Sequence, residues 1–288
     1  MKINKLSFIT PKNDIQDKKI VLQKTYHQEY QLLNESSISL ASDIGNRKIQ
    51  QDCIAIAENS GYLLLLVSDG IGGMEAGEIA SYTTAKIISK WLLSEDKESL
   101  KMLSEKTLED VLNALMYLIS TNIPSYCGST LNMSIIGPTD TLIANVGDSR
   151  AYTIKNGIIT LRTRDDSLVF KKYNPQTEKE RNVLRFHNKN NIITNSISKN
   201  TFPTINISTI KNEDYDIICH VTDGITDYLT EQEILNLANE TIPAKKIVYS
   251  ATNGLPIHNK IKDEEFRDCI YSAEDNSTAI VYTKRKHK

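Results

Sequence analysis

The sequence has few of the features that mark secreted, membrane-spanning or metal-thiolate proteins. Its four cysteines lie 50 or more positions apart, so no Cys-x-x-Cys pair exists and a zinc site built from cysteines is not expected. No stretch approaches the roughly 18 apolar residues of a membrane span, and the opening residues MKINKLSFITPKND contain no apolar run typical of a signal peptide. We therefore expect a cytoplasmic protein with reduced thiols and no membrane partner.

An excess of charge of one sign is also lacking. The chain has 34 Lys and Arg residues against 36 Asp and Glu residues, and its formal net charge is −2. Nucleic-acid-binding proteins usually carry a strong positive charge, so no nucleic-acid partner is expected. The basic tail at residues 285–288 is too short to change this and is expected to be a solvated chain end. The five histidines fall in no metal-ligand motif, and His220, within an apolar run, is expected to be a core residue.

The composition that remains is that of an ordinary globular protein, with 40% hydrophobic and 24% charged residues. A length of 288 residues allows one large domain or two small ones. Residues 1–36 are polar and rich in Lys, Gln and Asn, and we predict that they form an N-terminal extension with room for one strand or a short helix. The apolar pattern tightens from residue 37, which predicts a single domain over residues 37–284.

Short apolar and alternating runs predict most of this domain to be strands. The run YLLLLVS at residues 62–68 is continuous, so both faces of this strand should be covered. The pair Asn156-Gly157 between two apolar runs predicts a hairpin turn. Residues 165–200 are polar and irregular, and we predict that they form an inserted flap.

Longer amphipathic stretches between the strands predict helices. They cover residues 76–93, 98–120, about 229–239 and 243–253. In the first helix the predicted apolar face consists of Ile79, Thr83, Ile87 and Trp91. The resulting order of strands, helices, strands, helices and strand favours an α+β layered fold with largely antiparallel sheets over a doubly wound parallel sheet.

Aspartates recur at the ends of the predicted strands. They are Asp52, Asp69, Asp148, Asp223 and Asp275. An aspartate in such a place can be a turn former or a helix cap. Asp-Gly directly after two apolar strands, at Asp69 and Asp223, is harder to explain in that way.

Hard divalent cations would explain why several carboxylates converge in one place. Carboxylates without cations repel one another and take up protons, whereas Mg²⁺ and Mn²⁺ prefer carboxylate, carbonyl and water oxygens. Gly70 lets the backbone turn after Asp69, so its carbonyl could also face a metal. Arg47, five residues before Asp52, could bind phosphate oxygens through its guanidinium, although a surface arginine is the simpler interpretation.

Several stretches, in the same order, resemble the metal-dependent protein serine/threonine phosphatases of type 2C, in their bacterial branch. The stretches are GNRKIQQD, DGIGGMEAGEIAS, GSTLNMSII, ANVGDSRAYTIKNGIITLRTRDDSLV, NIITNSIS, TDGITDYLTEQEI and DNSTAIVYT, within about residues 40–283. Each match is weak alone, but the ordered set is specific. The resemblance implies a four-layer α-β-β-α sandwich, with two largely antiparallel sheets between helical pairs and a metal centre at one end.

The same resemblance implies roles for individual residues. Asp69 would bridge two Mn²⁺ or Mg²⁺ ions, and Asp223 and Asp275 would bind one of them. The Gly70 carbonyl and Asp52, directly or through water, would serve the other ion. Asp148 matches an acid that helps to bind a third, weaker metal, and Arg47 would hold the substrate phosphate.

Some positions depart from the family motifs. They are Gln51, Ile71, Met74, Asp166, Asn195 and Ser198. Asp166 stands in place of a His and Asn195 in place of an Arg, which affects the flap. Ile71 and Met74 occupy positions where other members have His. No core metal ligand is lost, but the leaving-group proton has no side-chain donor.

The implied function is hydrolysis of phosphoserine and phosphothreonine in proteins by a metal-activated water. Covalent catalysis is not implied, and the chain has no Cys-x5-Arg loop. The implied partners are phosphorylated substrates of a Ser/Thr kinase in a signalling role, and we expect a monomer. The alternatives are a pseudophosphatase or dedicated regulatory binding protein with the same fold, and a two-metal phosphodiesterase or nuclease.

Overall fold

The structure, a computed structural model, describes residues 7–10, 25–32, 36–72, 76–253 and 275–284. These residues form fifteen strands and eight α-helices. The strands are β1 Ser7–Thr10, β2 Thr25–Gln31, β3 Ser37–Asp43, β4 Cys53–Asn59, β5 Tyr62–Ser68, β6 Gly70–Ile71, β7 Gly128–Ser129, β8 Leu131–Ile136, β9 Asp140–Val146, β10 Arg150–Lys155, β11 Ile158–Leu161, β12 Ile197–Ser198, β13 Asn206–Lys211, β14 Ile217–Val221 and β15 Ser277–Thr283. The helices are α1 Gly77–Ser94, α2 Lys97–Lys101, α3 Glu105–Asn122, α4 Leu168–Tyr173, α5 Glu178–Leu184, α6 Asp223–Thr226, α7 Glu231–Ala238 and α8 Pro243–Asn253.

Two six-stranded sheets pack face to face. The first has the order β1-β4-β5-β8-β9-β13 and the second has the order β11-β10-β14-β15-β3-β2. The neighbouring strands of both sheets are antiparallel. A small third sheet, β12-β7-β6, lies where β5 ends.

Three apolar layers hold these sheets and helices together. One lies between α1, α3 and the first sheet, one between the two sheets, and one between the second sheet and helices α6–α8. In β5, Leu64 and Leu66 belong to the first layer, whereas Leu63, Leu65 and Val67 belong to the middle one. The continuous apolar run is therefore covered on both faces, as predicted. The four-layer α+β sandwich is confirmed.

Helix α1 contacts the core through a different face from the predicted one. Its buried side chains include Ala80, Thr84, Ala85, Ile88 and Leu92. The predicted set of Ile79, Thr83, Ile87 and Trp91 is only partly buried. Small side chains let the helix approach the sheet closely, so the bulkier residues pack at its flank.

Two other predictions were wrong because local caps were overlooked: that residues 98–120 form one helix, and that residues 165–200 are irregular. The stretch 98–120 is divided into α2 and α3, because Ser104 caps α3 by accepting a hydrogen bond from the Thr107 amide. The segment predicted to be a flap, residues 165–200 and called the flap below, contains α4, α5 and β12. Ser167 caps α4, and Thr177 forms a capping box with Glu180 on α5.

Strands β1 and β2 come from the predicted N-terminal extension and lie at the edges of the two sheets. The division of the chain at residue 37 therefore stays a prediction. Within the described residues, Cys53, Cys127 and Cys219 are buried and form no disulfide, whereas Cys269 and Met74 lie outside the described residues. No helix in the part of the chain that the structure describes has the length and apolar character needed to cross a bilayer.

Candidate metal centre

Asp69 lies where β5 ends and is held there by the neighbouring strands. Its amide donates to Oγ1 of Thr130 at 2.9 Å, and its carbonyl accepts from the Thr130 amide at 2.8 Å. Ser129 Oγ also donates to this carbonyl, at 3.2 Å. Because both main-chain groups are satisfied, the backbone is fixed and the side chain is left for the site.

Gly70 is needed because the chain beside Asp69 is closely packed. A Cβ on Gly70 would lie 2.2 Å from the carbonyl oxygen of Gly77, at the start of α1, and 2.8 Å from that of Gln51. The Gly70 amide donates to the same Gln51 carbonyl at 3.1 Å. A side chain at position 70 would therefore push α1 and the segment before Asp52 apart.

Asp52 lies directly before β4 and is buried. Its Oδ2 accepts a hydrogen bond of 2.9 Å from Thr222 Oγ1, and its amide donates to Gln50 Oε1 at 2.9 Å. Thr222 directly precedes Asp223, the first residue of α6. The hydroxyl of Thr222 thus connects two of the predicted ligands, a contact that the sequence analysis did not identify.

Asp275 and Arg47 form an ion pair at the mouth of the site. The Nη2 of Arg47 lies 2.8 Å from Oδ2 of Asp275, and both side chains are about half exposed, at 51% and 42%. Asn276 supports this region because its Oδ1 accepts from the Gln51 amide at 2.7 Å and its Nδ2 donates to the Ile44 carbonyl at 2.9 Å. The support by Asn276 was also missed, since an Asp-Asn pair before a strand has many other uses.

The other four predicted aspartates lie close enough to Asp69 to raise its pKa. Burial raises the pKa of Asp69 well above its ordinary value, and the charges of Asp223, Asp52, Asp275 and Asp148 raise it further. Burial likewise raises the pKa of Asp52 to about 7 and that of Asp148 to about 6. The pKa of Asp223 is raised by burial and then by Asp148 and Asp275. The structure thus brings all five carboxylates together at one end of the sandwich.

Three carboxylate oxygens in this cluster are buried without a hydrogen-bond partner. They are Oδ1 of Asp52, Oδ1 of Asp148 and Oδ1 of Asp223. An unpaired buried carboxylate oxygen is costly unless a cation or water contacts it, and an all-oxygen set suits Mg²⁺ or Mn²⁺. The donors therefore fit the expected ions.

The carboxylates do not close around an ion by themselves. In the described residues, no group of three or more His, Cys, Asp and Glu side chains is arranged to hold one metal ion. Main-chain carbonyls or water would have to complete each coordination shell, which is the usual way for Mg²⁺. The assignment of individual ligands stays a prediction.

A second, cationic layer lies behind Asp148 and Asp223. Arg150 on β10 and Arg185 after α5 are both buried, and both donate to Asp165, at 2.8 Å and 3.2 Å. Arg185 also donates to Asp227, just after α6, at 3.0 Å. The charge of Arg185 lowers the pKa of Asp148 and so opposes part of the effect of burial. Nothing in the polar sequence around Arg185 indicated this position.

Comparison with known proteins identifies the family and relatives of this chain. The sequence model of the family described as "Protein phosphatase 2C" matches residues 41–248. The chain is 28% identical over 214 residues to a putative protein phosphatase 2C-type of Streptococcus pyogenes, covering 71% of this chain and 85% of the relative. It is 25% identical over 198 residues to the serine/threonine phosphatase stp of Listeria monocytogenes, covering 65% of this chain and 76% of the relative.

A solved structure is also similar over most of its length. The S. agalactiae serine/threonine phosphatase superimposes with a TM-score of 0.70 at 25% sequence identity, covering 87% of this chain and 100% of that one. The family match extends over more than half of the chain and includes the segments that carry Asp52, Asp69, Asp148 and Asp223. The chain therefore belongs to the protein phosphatase 2C family.

Proposed function

We propose that the protein is a metal-dependent protein-serine/threonine phosphatase that hydrolyses phosphoserine and phosphothreonine in protein substrates. The observation that carries this proposal is the cluster of five aspartates, three of which have a buried oxygen without a hydrogen-bond partner, in a chain of the protein phosphatase 2C family. Within the described residues, these three oxygens have no hydrogen-bond partner that would offset the cost of their burial.

The proposed ligands are Asp52, Asp69, Asp148, Asp223 and Asp275, together with the Gly70 carbonyl. When bound, two Mn²⁺ or Mg²⁺ ions supply an activated water and neutralise charge on the phosphoryl group, and Asp148 could serve a third, weaker site. A cluster of carboxylates repels a phosphate dianion. Two divalent ions and Arg47 together would balance the charge of the five aspartates and let the substrate approach.

Arg47 is the proposed phosphate-binding residue. It lies at the mouth of the site, and its guanidinium has one ion-pair bond, to Asp275. The other donors of the fork are then available for phosphoryl oxygens. Ile71 follows Gly70 on β6, so that position offers no proton donor to the leaving group.

We propose phosphorylated proteins, the targets of a Ser/Thr kinase, as substrates, and a monomeric enzyme in the cytoplasm. The relative from Listeria monocytogenes is named a serine/threonine phosphatase, which supports this substrate class. A pseudophosphatase would be expected to lack at least one metal aspartate, and none is missing, so we do not propose that alternative.

The proposal is tested by assaying the purified protein on a phosphothreonine peptide with Mn²⁺, with Mg²⁺ and with a chelator. Two variants are compared with the wild type. Asp69→Asn changes the cluster, whereas the control Asp216→Asn removes a surface carboxylate that is paired with Lys155. Asp216 directly precedes β14, at the end away from the cluster. We expect metal-dependent activity in the wild type and in Asp216→Asn, and almost none in Asp69→Asn. Equal activity in all three proteins, or activity that survives chelation, would contradict the proposal. A phosphodiester substrate, assayed in parallel, should not be cleaved.

A further inference from the structure

Arg185 is a flap residue whose guanidinium is buried beside the candidate metal centre. Its side chain is only 4% exposed. Nη1 donates to Asp227 Oδ1 at 3.0 Å, and Nη2 donates to Thr226 Oγ1 at 2.8 Å and to Asp165 Oδ2 at 3.2 Å. Its Nε is buried without a hydrogen-bond partner. A buried cation with three acceptors and one unused donor is too costly to be an incidental surface contact.

Two of these acceptors belong to the turn that carries Asp223. Helix α6 consists of Asp223–Thr226 only, and Asp227 follows it, donating from its amide to the Asp223 carbonyl at 2.8 Å. One helical turn is not stable by itself, because it fixes several dihedral angles for a single hydrogen bond. The guanidinium of Arg185 stabilises the end of this turn by its hydrogen bonds to Thr226 and Asp227. The start of the turn is stabilised by the hydrogen bond from Thr222 to Asp52.

Asp165, the third acceptor, connects Arg185 to the loop between β9 and β10, which carries Asp148 and is called the loop of Asp148 below. Asp165 also accepts two bonds from Arg150, with Nε at 2.9 Å and Nη2 at 2.8 Å. Arg150 is two residues after Asp148, at the start of β10. One guanidinium from the flap is therefore joined to the backbone segments that carry two of the proposed ligands.

We propose that Arg185 is a positioning residue of the metal centre, whose contacts with the turn that carries Asp223 set the affinity for metal. This inference rests on the proposed function, because it requires Asp223 to be a metal ligand. Because only 4% of its side chain is exposed, we assign Arg185 no contact with the substrate or the reacting atoms. It fixes the place of Asp223 relative to the other carboxylates, as residues beside metal ligands commonly do.

A neighbouring arginine, on α5 itself, provides the matched control. Arg181 lies one turn before Arg185 and is also nearly buried. It donates from Nε to Glu231 Oε1 at 2.8 Å and from Nη1 to the Gln176 carbonyl at 3.2 Å. Both arginines hold α5 in place through buried ion pairs. Arg181 pairs with Glu231 at the start of α7, whereas Arg185 pairs with Asp227 at the end of α6. Loss of either should loosen the flap, and only loss of Arg185 should disturb Asp223.

The experiment compares wild type, Arg185→Gln, Arg185→Lys and Arg181→Gln. Mn²⁺ affinity is measured by isothermal titration calorimetry, and kcat, KM and Tm are measured in parallel with a phosphothreonine peptide. We expect Arg185→Gln to weaken Mn²⁺ binding by about 10-fold or more, in the range known for residues that orient metal ligands. We expect Arg185→Lys to recover part of this loss, because a lysine restores the charge but not the forked contacts. Arg181→Gln should lower Tm and leave Mn²⁺ affinity within about twofold.

The outcomes separate the inference from the proposed function. Wild-type Mn²⁺ affinity in Arg185→Gln, or an equal loss in Arg181→Gln, would overturn the positioning role and leave the phosphatase proposal intact. A wild-type protein that binds no Mn²⁺ would overturn both. If Arg185→Gln does not fold, Arg185→Lys decides, since it keeps the buried charge. A lysine variant with unchanged Mn²⁺ affinity would then count against the inference.

Discussion

Asn195 donates a hydrogen bond of 2.7 Å from its Nδ2 to Oδ2 of Asp166. These are two of the flap positions at which the sequence departs from the family motifs, and the structure joins them. The same Oδ2 accepts a bond of 3.0 Å from the amide of Gly147, the residue before Asp148. Asn195 also bonds in both directions with the backbone of Thr204. The two departures thus form one connection between the flap and the loop of Asp148.

This connection predicts a coupled effect on stability. Asp166→Ala leaves the Gly147 amide without its acceptor and removes one of the two hydrogen bonds that Asn195 Nδ2 donates, so it should lower the free energy of unfolding by about 1–3 kcal/mol. Asn195→Ala should also lower it, and the double variant should lose less than the sum, with a coupling of about 0.5–3 kcal/mol. Urea unfolding of the four proteins measures this.

The control is an amide hydrogen bond of similar length on an exposed helix surface. Gln232 donates from Nε2 to Asn236 Oδ1 at 3.0 Å on α7. Alanine substitutions at these two positions should show a coupling of no more than about 0.5 kcal/mol. Strictly additive losses at Asp166 and Asn195, no more coupled than this surface pair, would mean that their hydrogen bond has no structural consequence.

Metal binding should stabilise the folded protein strongly. Without cations, the aspartate cluster includes unpaired buried oxygens and carboxylates whose pKa is raised by burial and mutual repulsion. Free Mn²⁺ at about 100 times its dissociation constant should add about 3 kcal/mol to the free energy of unfolding, which corresponds to a rise in Tm of about 5–10 °C for a chain of this size. Thermal unfolding with Mn²⁺ and with chelator measures the difference.

The variants of the activity assay serve here as well. Asp69→Asn should lose most of the Mn²⁺-dependent rise in Tm, whereas Asp216→Asn should keep it. In the chelated state, Asp69→Asn should be at least as stable as the wild type, because one repelling charge has been removed. A rise in Tm that is the same for both variants would show that Mn²⁺ binds elsewhere.

The layered fold could be predicted because its signals are local. The run YLLLLVS, which forms β5, is apolar on both faces. Leu64 and Leu66 face the apolar layer under α1 and α3, whereas Leu63, Leu65 and Val67 face the layer between the two sheets. The helices of the flap were missed although one signal was present, since Thr177 and Glu180 have the spacing of a capping box. The short, polar helices there have no apolar periodicity, so their caps are the main indication.

In the candidate site, too, the residues with a local sequence signal could be predicted and the long-range contacts could not. Asp69 and Asp223 could be singled out because each follows an apolar strand and precedes a glycine. The contacts of Arg185 could not be predicted, because its acceptors lie 20, 41 and 42 positions away along the chain. The Arg47–Asp275 pair spans 228 positions. Such contacts depend on how the sheets and the flap pack, which no local pattern specifies.

His220 predicts an acid sensitivity of the core that is separate from the metal site. It is fully buried, with Nε2 at 2.8 Å from Ser134 Oγ and Nδ1 at 2.8 Å from Asn132 Oδ1. Burial lowers its pKa to about 3. Between that value and the unfolded pKa of about 6.5, the unfolded state binds more protons than the native state. Stability should therefore fall with decreasing pH in this window, by up to about 1.4 kcal/mol per pH unit.

The test for His220 compares how steeply the free energy of unfolding changes with pH in the wild type and in a variant. His220→Gln keeps a hydrogen-bonding side chain but does not titrate, so the wild type should lose stability relative to it as the pH falls from about 6 to 4. Urea unfolding in metal-free buffer gives both curves, and the difference between them removes the contribution of the carboxylates. His187→Gln, in the flap, should follow the wild type. Parallel curves for wild type and His220→Gln would contradict the assignment.

Arg47 should affect catalysis much more than stability. Its guanidinium is about half exposed, and an exposed ion pair such as that with Asp275 contributes no more than about 1 kcal/mol. A charge-assisted hydrogen bond to a phosphoryl oxygen is worth about 1.5–3 kcal/mol. Arg47→Ala should therefore lower kcat/KM for a phosphothreonine peptide by roughly 10- to 100-fold, with Tm almost unchanged.

The neighbouring exposed cation Lys48 provides the control, because Lys48→Ala removes the same charge from the same segment. It should keep kcat/KM within about twofold of the wild type. Arg47→Lys should recover only part of the loss, since an ammonium cannot make the forked contact with a phosphoryl group. Inhibition by inorganic phosphate should weaken in Arg47→Ala and not in Lys48→Ala. A variant Arg47→Ala with wild-type kcat/KM and wild-type inhibition by phosphate would assign Arg47 to the surface, as the simpler interpretation of the sequence had it.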